Sequence, residues 1–140
     1  MRLLLSAFAP ELGPLARKPP TGWGTATVGV GAVTAAASTA RLLAKRRPEA
    51  VLFVGTCGRY DGRLQLLEGI WASEAIATSL EEVNGRAYRP DLERTRWAST
   101  LAGPLPAHSV AVPPAITLTR EGASLLASMA PAEHLELTGV

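Results

Sequence analysis

The chain has 140 residues, of which 47% are hydrophobic, 19% charged and 5% aromatic. This length fits one domain over residues 1–140, with a core built mainly from Ala, Val and Leu. Twelve of the 14 basic residues are Arg, yet the formal net charge is only +2 and most basic residues are scattered. No stretch reaches the ~18 uninterrupted apolar residues of a membrane-spanning helix. We therefore expect neither a nucleic-acid partner nor a membrane partner.

The numbers and positions of cysteine and histidine indicate the redox state of the compartment and whether a metal site is expected. The single cysteine, Cys57, excludes an internal disulfide, and His108 and His134 have no Cys or His neighbours at metal-ligand spacing. We predict a reducing, cytoplasmic compartment, no metal site and no cofactor. The basic cluster Lys45–Arg47 is interpreted as the solvated end of a helix, where cations favour the macrodipole.

The first half of the chain predicts a strand–helix–strand pattern. The apolar run at residues 2–8 could belong to a small signal peptide, but it is short, and we interpret it as a buried strand. A short helical turn is predicted next, over residues 11–16. The remaining predictions are a strand at 25–30, a helix at 31–47 stopped by Pro48, and a strand at 49–54. This alternation predicts a right-handed parallel crossover.

The second half is less regular. We predict a strand at 67–77 with Gly69 as a possible bulge, followed by an irregular Arg-rich loop over 80–103. Thr119 is a natural N-cap for a helix at 120–129. Short strands are predicted at 109–112, 115–118 and 134–137. The whole pattern predicts an α/β fold with a central mixed, largely parallel sheet flanked by helices.

Two chemistry-bearing segments follow predicted parallel strands, at the edge where ligands of open α/β sheets bind. Gly55-Thr56-Cys57-Gly58 follows one strand, and its small residues would let backbone N–H groups and the Thr56 hydroxyl approach a ligand. Glu11 follows the first strand, where a carboxylate is either a general base or a solvated acid in a helix first turn. Because no His is near it in sequence, Cys57 is interpreted as a small lining or core residue rather than a nucleophile.

Three further motifs give weaker indications of function. Gly29-Val30-Gly31 matches only part of a dinucleotide fingerprint, because Thr34 replaces the third glycine and no acid closes the next strand. These glycines are better explained by close strand–helix packing. The arginines of the 80–103 loop (Arg86, Arg89, Arg94 and Arg96) are interpreted as solvated rather than as an anion site. Glu136 places an acid at the end of the last predicted strand.

Four segments occur in a characteristic order along the chain: Leu3–Leu12, Val28–Ala36, Pro48–Gly58 and Glu136–Gly139. Together they resemble the nucleoside phosphorylase superfamily. The similarity is to its nucleosidase branch, which contains methylthioadenosine/adenosylhomocysteine nucleosidases and futalosine hydrolases. The resemblance implies a phosphorylase/hydrolase-like fold, a small-molecule purine nucleoside or derivative as substrate, hydrolysis of its glycosidic bond with water, and a homo-oligomer.

The resemblance also implies roles for individual residues. Glu11 matches the acid that positions and deprotonates the attacking water. The positions that match the substrate-binding segments of the family are Ala7, Phe8, Thr56, Cys57, Gly58, Glu136, Leu137 and Thr138. At the last of these the family typically has a second acid, which binds the ribose hydroxyls.

The family continues past the position of Val140 through a helix and a strand, and that strand carries the Asp that protonates the departing base. The sequence thus predicts a fold that lacks its last strand and helix. A phosphate-dependent phosphorylase is less favoured, because the segment Phe8–Glu11 contains neither Gly nor Arg. A non-catalytic nucleoside-binding module and a fragment of a longer protein remain alternatives.

Overall fold

The computed structural model describes residues 1–90 and 94–134. The chain divides into two compact units, one formed by residues 1–56 and the other beginning at Cys57. The first unit contains β1 (Arg2–Ser6), α1 (Ala9–Leu12), β2 (Trp23–Thr27), α2 (Ala32–Arg46) and β3 (Val51–Phe53). The second contains β4 (Cys57–Arg59), β5 (Trp71–Ala77), α3 (Leu80–Val83), β6 (Arg96–Ala98), β7 (Ala107–Val112), α4 (Arg120–Leu126) and β8 (Ala132–His134). The predicted α/β class is confirmed.

In the first unit, β1 is the central strand of a parallel sheet with the order β2-β1-β3. Its residues Leu3, Leu4 and Leu5 are at most 4% exposed, as expected for an apolar run in the middle of a parallel sheet. Beyond the strand, Ser6 O accepts a hydrogen bond from Val28 N at 2.9 Å. Both flanking strands therefore point their carboxyl ends to the same edge as β1.

Helix α2 matches the predicted 31–47 helix to within one residue at each end. It ends where Arg47 takes a left-handed conformation, with φ of 44°, and donates its N–H to Leu43 O at 2.9 Å. Ala35 is its one buried residue, while Ser38 and Leu42 are half-buried. Much of the helix surface is thus open to solvent.

The loop between β2 and α2 depends on glycine. Gly29 and Gly31 both have φ of +89°, a region that side-chain-bearing residues rarely occupy. A Cβ atom at Gly29 would lie 2.5 Å from Cγ2 of Thr34, in the first turn of α2. Gly29 thus lies closely against α2, although it does so from the loop and not from a strand as predicted. The predicted strand 25–30 ends earlier, at Thr27, because this conformation breaks the extended chain.

The second unit is built on a mixed sheet with the order β4-β8-β7-β5-β6. Strands β5, β7 and β8 are parallel neighbours, and the two outer pairs are antiparallel. Ile76, Val110 and Leu126 are at most 4% exposed and form part of its core. Thr119 caps α4 as predicted, since its Oγ1 accepts a hydrogen bond from Gly122 N at 3.1 Å. The helix ends at Leu126 rather than at residue 129.

Several predictions for this unit are wrong in detail. Cys57 and Gly58, predicted to lie in a turn over residues 55–58, belong with Arg59 to β4, and the predicted 80–103 loop contains α3 and β6. The strand predicted from 67 begins at Trp71, and its register shift lies between Ala72 and Glu74 rather than at Gly69. Leu67 has φ of 64°, which is incompatible with a strand.

The strands predicted after residue 112 also differ from those in the structure. Residues 115–118 form no strand, because the backbone N–H of Thr117 donates to the Glu133 carboxylate instead of to a ladder partner. The last predicted strand begins earlier, as β8, and residues 135–137 lie outside the described ranges. No helix in those ranges is long and apolar enough to cross a membrane.

Candidate functional site

The candidate site begins at the carboxyl edge of the first unit, where β1 passes into α1. Ser6 is fully buried, and its hydroxyl donates to Phe8 O at 2.9 Å. Ala7 is 2% exposed, and its carbonyl accepts from Gly29 N at 3.0 Å. Phe8 is extended (φ −144°, ψ 157°) and precedes α1, with a side chain that is 47% exposed. The backbone of this segment is fixed while the Phe8 ring remains accessible.

Glu11 and Thr56 meet at this edge. Glu11 lies in the first turn of α1, and Thr56 follows the end of β3. Thr56 donates twice to the same carboxylate oxygen, Glu11 Oε1: from its backbone N–H at 3.0 Å and from its hydroxyl at 3.1 Å. The structure thus brings together two of the residues singled out from the sequence, which are 45 positions apart in the chain.

This arrangement gives the Glu11 carboxylate a defined orientation. Its Oε2 atom is shielded from solvent, although the residue as a whole is half-buried. The other carboxylate of residues 1–56, Glu49, pairs with the terminal amine of Met1 at 2.7 Å, beside the start of β1. That amine lowers the pKa of Glu49. Glu11 is therefore the one side-chain carboxylate in residues 1–56 that lies at the carboxyl edge, where it can accept a proton or bind a hydroxyl.

The other predicted site residues are distributed differently. Cys57 and Gly58 belong to β4 of the second unit, where they pair with His134 and Glu133 of β8. Cys57 is exposed to solvent, which does not fit a core position. Glu136, Leu137 and Thr138 lie outside the described residues. Among the described residues no group of three or more His, Cys, Asp or Glu side chains could hold a metal ion.

A polar cluster in the second unit was not singled out from the sequence. Glu133 is only 4% exposed, and its carboxylate accepts from Tyr60 OH at 3.1 Å and from Thr117 Oγ1 at 2.9 Å. Burial, and then the negative charge of Glu133, raise the pKa of Tyr60. The sequence feature that could have indicated this cluster is an acid, Glu133, inside an apolar segment. Its partners could not be read from the sequence, because they lie 73 and 16 positions away.

The fold is similar to that of several solved structures. The 5'-methylthioadenosine/S-adenosylhomocysteine nucleosidase of Helicobacter pylori with butyl-thio-DADMe-Immucillin-A has a TM-score of 0.77 and 15% identity, over 98% of this chain and 75% of that one. Futalosine hydrolase of the same organism has a TM-score of 0.76 and 15% identity, over 98% of this chain and 77% of that one. A putative 5'-methylthioadenosine/S-adenosylhomocysteine nucleosidase from Borrelia burgdorferi, bound to adenine, has a TM-score of 0.67 and 13% identity, over 97% of this chain and 76% of that one.

No protein-family model and no curated protein matches the sequence. The chain has the fold of these nucleosidases and futalosine hydrolases, as the sequence resemblance implied. With identities of 13–15%, the similarity establishes the fold, and the chemistry has to be argued from the residues.

Proposed function

We propose that this chain is an N-ribosyl hydrolase that cleaves the glycosidic bond of a purine nucleoside or derivative with water. One observation carries the proposal: Thr56 orients the Glu11 carboxylate with two hydrogen bonds at the carboxyl edge of a parallel sheet. Support for the substrate class comes from proteins of the same fold, whose names specify methylthioadenosine, adenosylhomocysteine and futalosine.

The reaction requires few groups. The bond between C1' and the base nitrogen breaks, and its electron pair leaves with the base, which takes up a proton from solvent. A water oxygen bonds to C1' as Glu11 accepts one of the water's protons. General-base catalysis of this kind contributes roughly 10²–10⁴-fold to a rate. In this scheme Thr56 is a positioning residue, because it acts through Glu11.

The substrate contacts belong to the same proposal. The half-exposed ring of Phe8 offers an apolar surface for the ligand, and Ala7 supports the segment beneath it. The substrate-binding roles of Cys57, Gly58, Glu136, Leu137 and Thr138 stay predictions from the resemblance.

The test is release of free base from a panel of purine nucleosides that includes 5'-methylthioadenosine and futalosine, with and without phosphate. We expect release without phosphate, and a loss of about 100-fold or more in Glu11→Gln with the fold retained. Glu49→Gln is the matched control, since it makes the same change at the other carboxylate of residues 1–56.

The other outcomes are equally informative. Release that requires phosphate would identify a phosphorylase and contradict hydrolysis. No release from a folded chain would contradict catalysis, and calorimetric binding of a nucleoside would then indicate a binding module. Full activity of Glu11→Gln would exclude Glu11 as the base.

We further propose that residues 1–140 act as one domain, in the cytoplasm, as a homo-oligomer. A single cysteine is typical of a reducing compartment. The homo-oligomer follows from the sequence resemblance, because members of that family usually associate. Light scattering coupled to size-exclusion chromatography measures the mass, and a monomer would contradict that part of the proposal.

A further inference from the structure

A cavity of about 390 Å³ lies beside α2 in the first unit. Three of its lining side chains are cationic and two carry hydroxyls, and none of the described lining residues is acidic. The lining consists of Thr27, Ser38, Arg41, Leu42, Lys45 and Arg46. None of these residues belongs to the Glu11–Thr56 site, so the cavity is a separate feature.

The walls of the cavity come from one helix face and one strand edge. Ser38, Arg41 and Lys45 lie at positions i, i+3 and i+7 of α2, which places them in one row along the helix. Thr27 ends β2, the outer strand of its three-stranded sheet. Nη1 of Arg46 lies 3.7 Å from the position that a Cβ atom of Gly24 would occupy, so this guanidinium lies over β2.

Within residues 1–90 and 94–134, the positive charge in this cavity has no resident counterion. Arg41 and Lys45 are four residues apart on the helix, where like charges repel. No ion pair among the described residues joins Arg41, Lys45 or Arg46 to a carboxylate. Residues 1–56 hold seven Arg and Lys residues against two Glu residues, and both glutamates have partners elsewhere. A bound anion would relieve this repulsion.

Helix capping explains only part of the arrangement. Cations in the last turn favour the helix macrodipole, and this accounts for Lys45 and Arg46. The dipole effect falls off within the last turn, so it does not account for Arg41. It also gives no reason for two hydroxyl groups, those of Thr27 and Ser38, in the same cavity.

We propose that this cavity binds the phosphate group of a small phosphomonoester. The planar Arg guanidinium and the Lys ammonium form charge-assisted hydrogen bonds with phosphate oxygens, and the hydroxyls add neutral donors. The half-buried side chain of Leu42 offers an apolar wall for the organic part. The volume suits a small molecule rather than an extended polymer backbone.

The test is isothermal titration calorimetry of the whole chain at constant ionic strength, with inorganic phosphate and ribose 5-phosphate as probes. We expect saturable binding, weakened about tenfold or more in Arg41→Ala/Lys45→Ala. The matched control, Arg17→Ala/Lys18→Ala, removes the same charge from exposed residues outside the cavity and should bind like the wild type. Both variants change exposed side chains, and thermal unfolding checks that each is folded.

The probes distinguish the two sources of a phosphate group. Tighter binding of ribose 5-phosphate would support an organic ester, and equal binding would support free phosphate as a sufficient ligand of the same site. Absence of saturation with both probes, or equal weakening in the two double variants, would overturn the proposal. Base release is measured separately and should be unchanged in Arg41→Ala/Lys45→Ala, so failure of one proposal leaves the other intact.

Discussion

The backbone N–H and the hydroxyl of Thr56 converge on one oxygen of Glu11, at 3.0 and 3.1 Å. The two residues belong to segments that follow different strands of the same parallel sheet, β3 and β1. Hydrogen bonds to the ionised form of a carboxylate stabilise that form and fix its direction. Thr56 therefore fixes the orientation of the proposed base.

This relationship predicts a graded effect of substitutions at Thr56. Thr56→Val keeps the backbone donor but removes the hydroxyl, so we expect kcat to fall about tenfold, in line with the loss of one hydrogen bond to a charged group. Thr56→Ser keeps both donors and should stay near the wild-type rate. Because Thr56 acts through Glu11, the loss in Thr56→Val should appear in kcat and leave KM near the wild-type value. An unchanged kcat in Thr56→Val would limit Thr56 to a structural role.

The turn before α2 predicts a stability difference between two glycine substitutions. Gly29→Ala combines an unfavourable positive φ with a Cβ atom 2.5 Å from Thr34 Cγ2. Gly22→Ala has a similar φ of +83° but open space around the new Cβ atom. We expect urea unfolding to show about 1 kcal/mol of destabilisation for Gly22→Ala, and a clearly larger loss for Gly29→Ala. Thr34→Ser, which removes the clashing methyl group, should recover part of that loss. Equal losses at the two glycines would rule out the steric contribution.

The partly buried contact between Tyr60 and Glu133 predicts a loss of stability in alkali. Burial and the Glu133 charge raise the pKa of Tyr60 in the folded state, so its contribution is intact below the unfolded value near 10 and decreases as pH rises further. Between pH 10 and 12 the unfolding free energy of the wild type should therefore fall more steeply than that of Tyr60→Phe, by up to about 1 kcal/mol per pH unit. Tyr88→Phe, which removes a phenol that is 78% exposed, is the matched control. Parallel curves for wild type and Tyr60→Phe would contradict the prediction.

The ion pair between Glu82 and Arg89 predicts an acid-sensitive contribution to stability. Arg89 donates from Nε and Nη2 to the two carboxylate oxygens at 2.6 and 2.9 Å, and these bonds lower the pKa of Glu82. The stabilisation is fully present above the unfolded value near 4.5 and is lost as pH falls through the lowered folded value.

At pH 7, Arg89→Met should lose about 1 kcal/mol of unfolding free energy, because the pair is bidentate and partly exposed. The difference from the wild type should shrink as the pH falls below 4.5. Arg86→Met is the matched control, since its pair with Glu81 is longer, at 3.7 Å, and more exposed. A difference between wild type and Arg89→Met that persists at pH 2 would show that lost packing, rather than the ion pair, is responsible.

Local sequence patterns were sufficient to predict the helices and strands that lie in strongly periodic or strongly apolar segments. The run of leucines in β1, the alanine-rich α2 with Pro48 behind it, and the Thr119 cap all depend on neighbours within a few positions. The common edge of Glu11 and Thr56 also followed from the sequence, because parallel strands place their carboxyl ends together. The resemblance to nucleosidases, carried by short motifs in the same order, indicated the fold that the solved structures share.

Features that depend on distant partners could not be read from the sequence. Cys57 to Arg59 are too few and too polar to signal a strand, and β4 exists because β8, more than 70 positions later, completes its ladder. Glu133 can be buried because Tyr60 and Thr117 supply donors, and without them its desolvation would be unfavourable. The cationic cavity likewise arises because side chains of α2 and Thr27 of β2, distant in the sequence, line the same space. Interactions between neighbours in the sequence thus determine the strongly apolar and periodic elements such as β1 and α2. Contacts between residues far apart in the sequence determine β4 and the places where charges and hydroxyls come together.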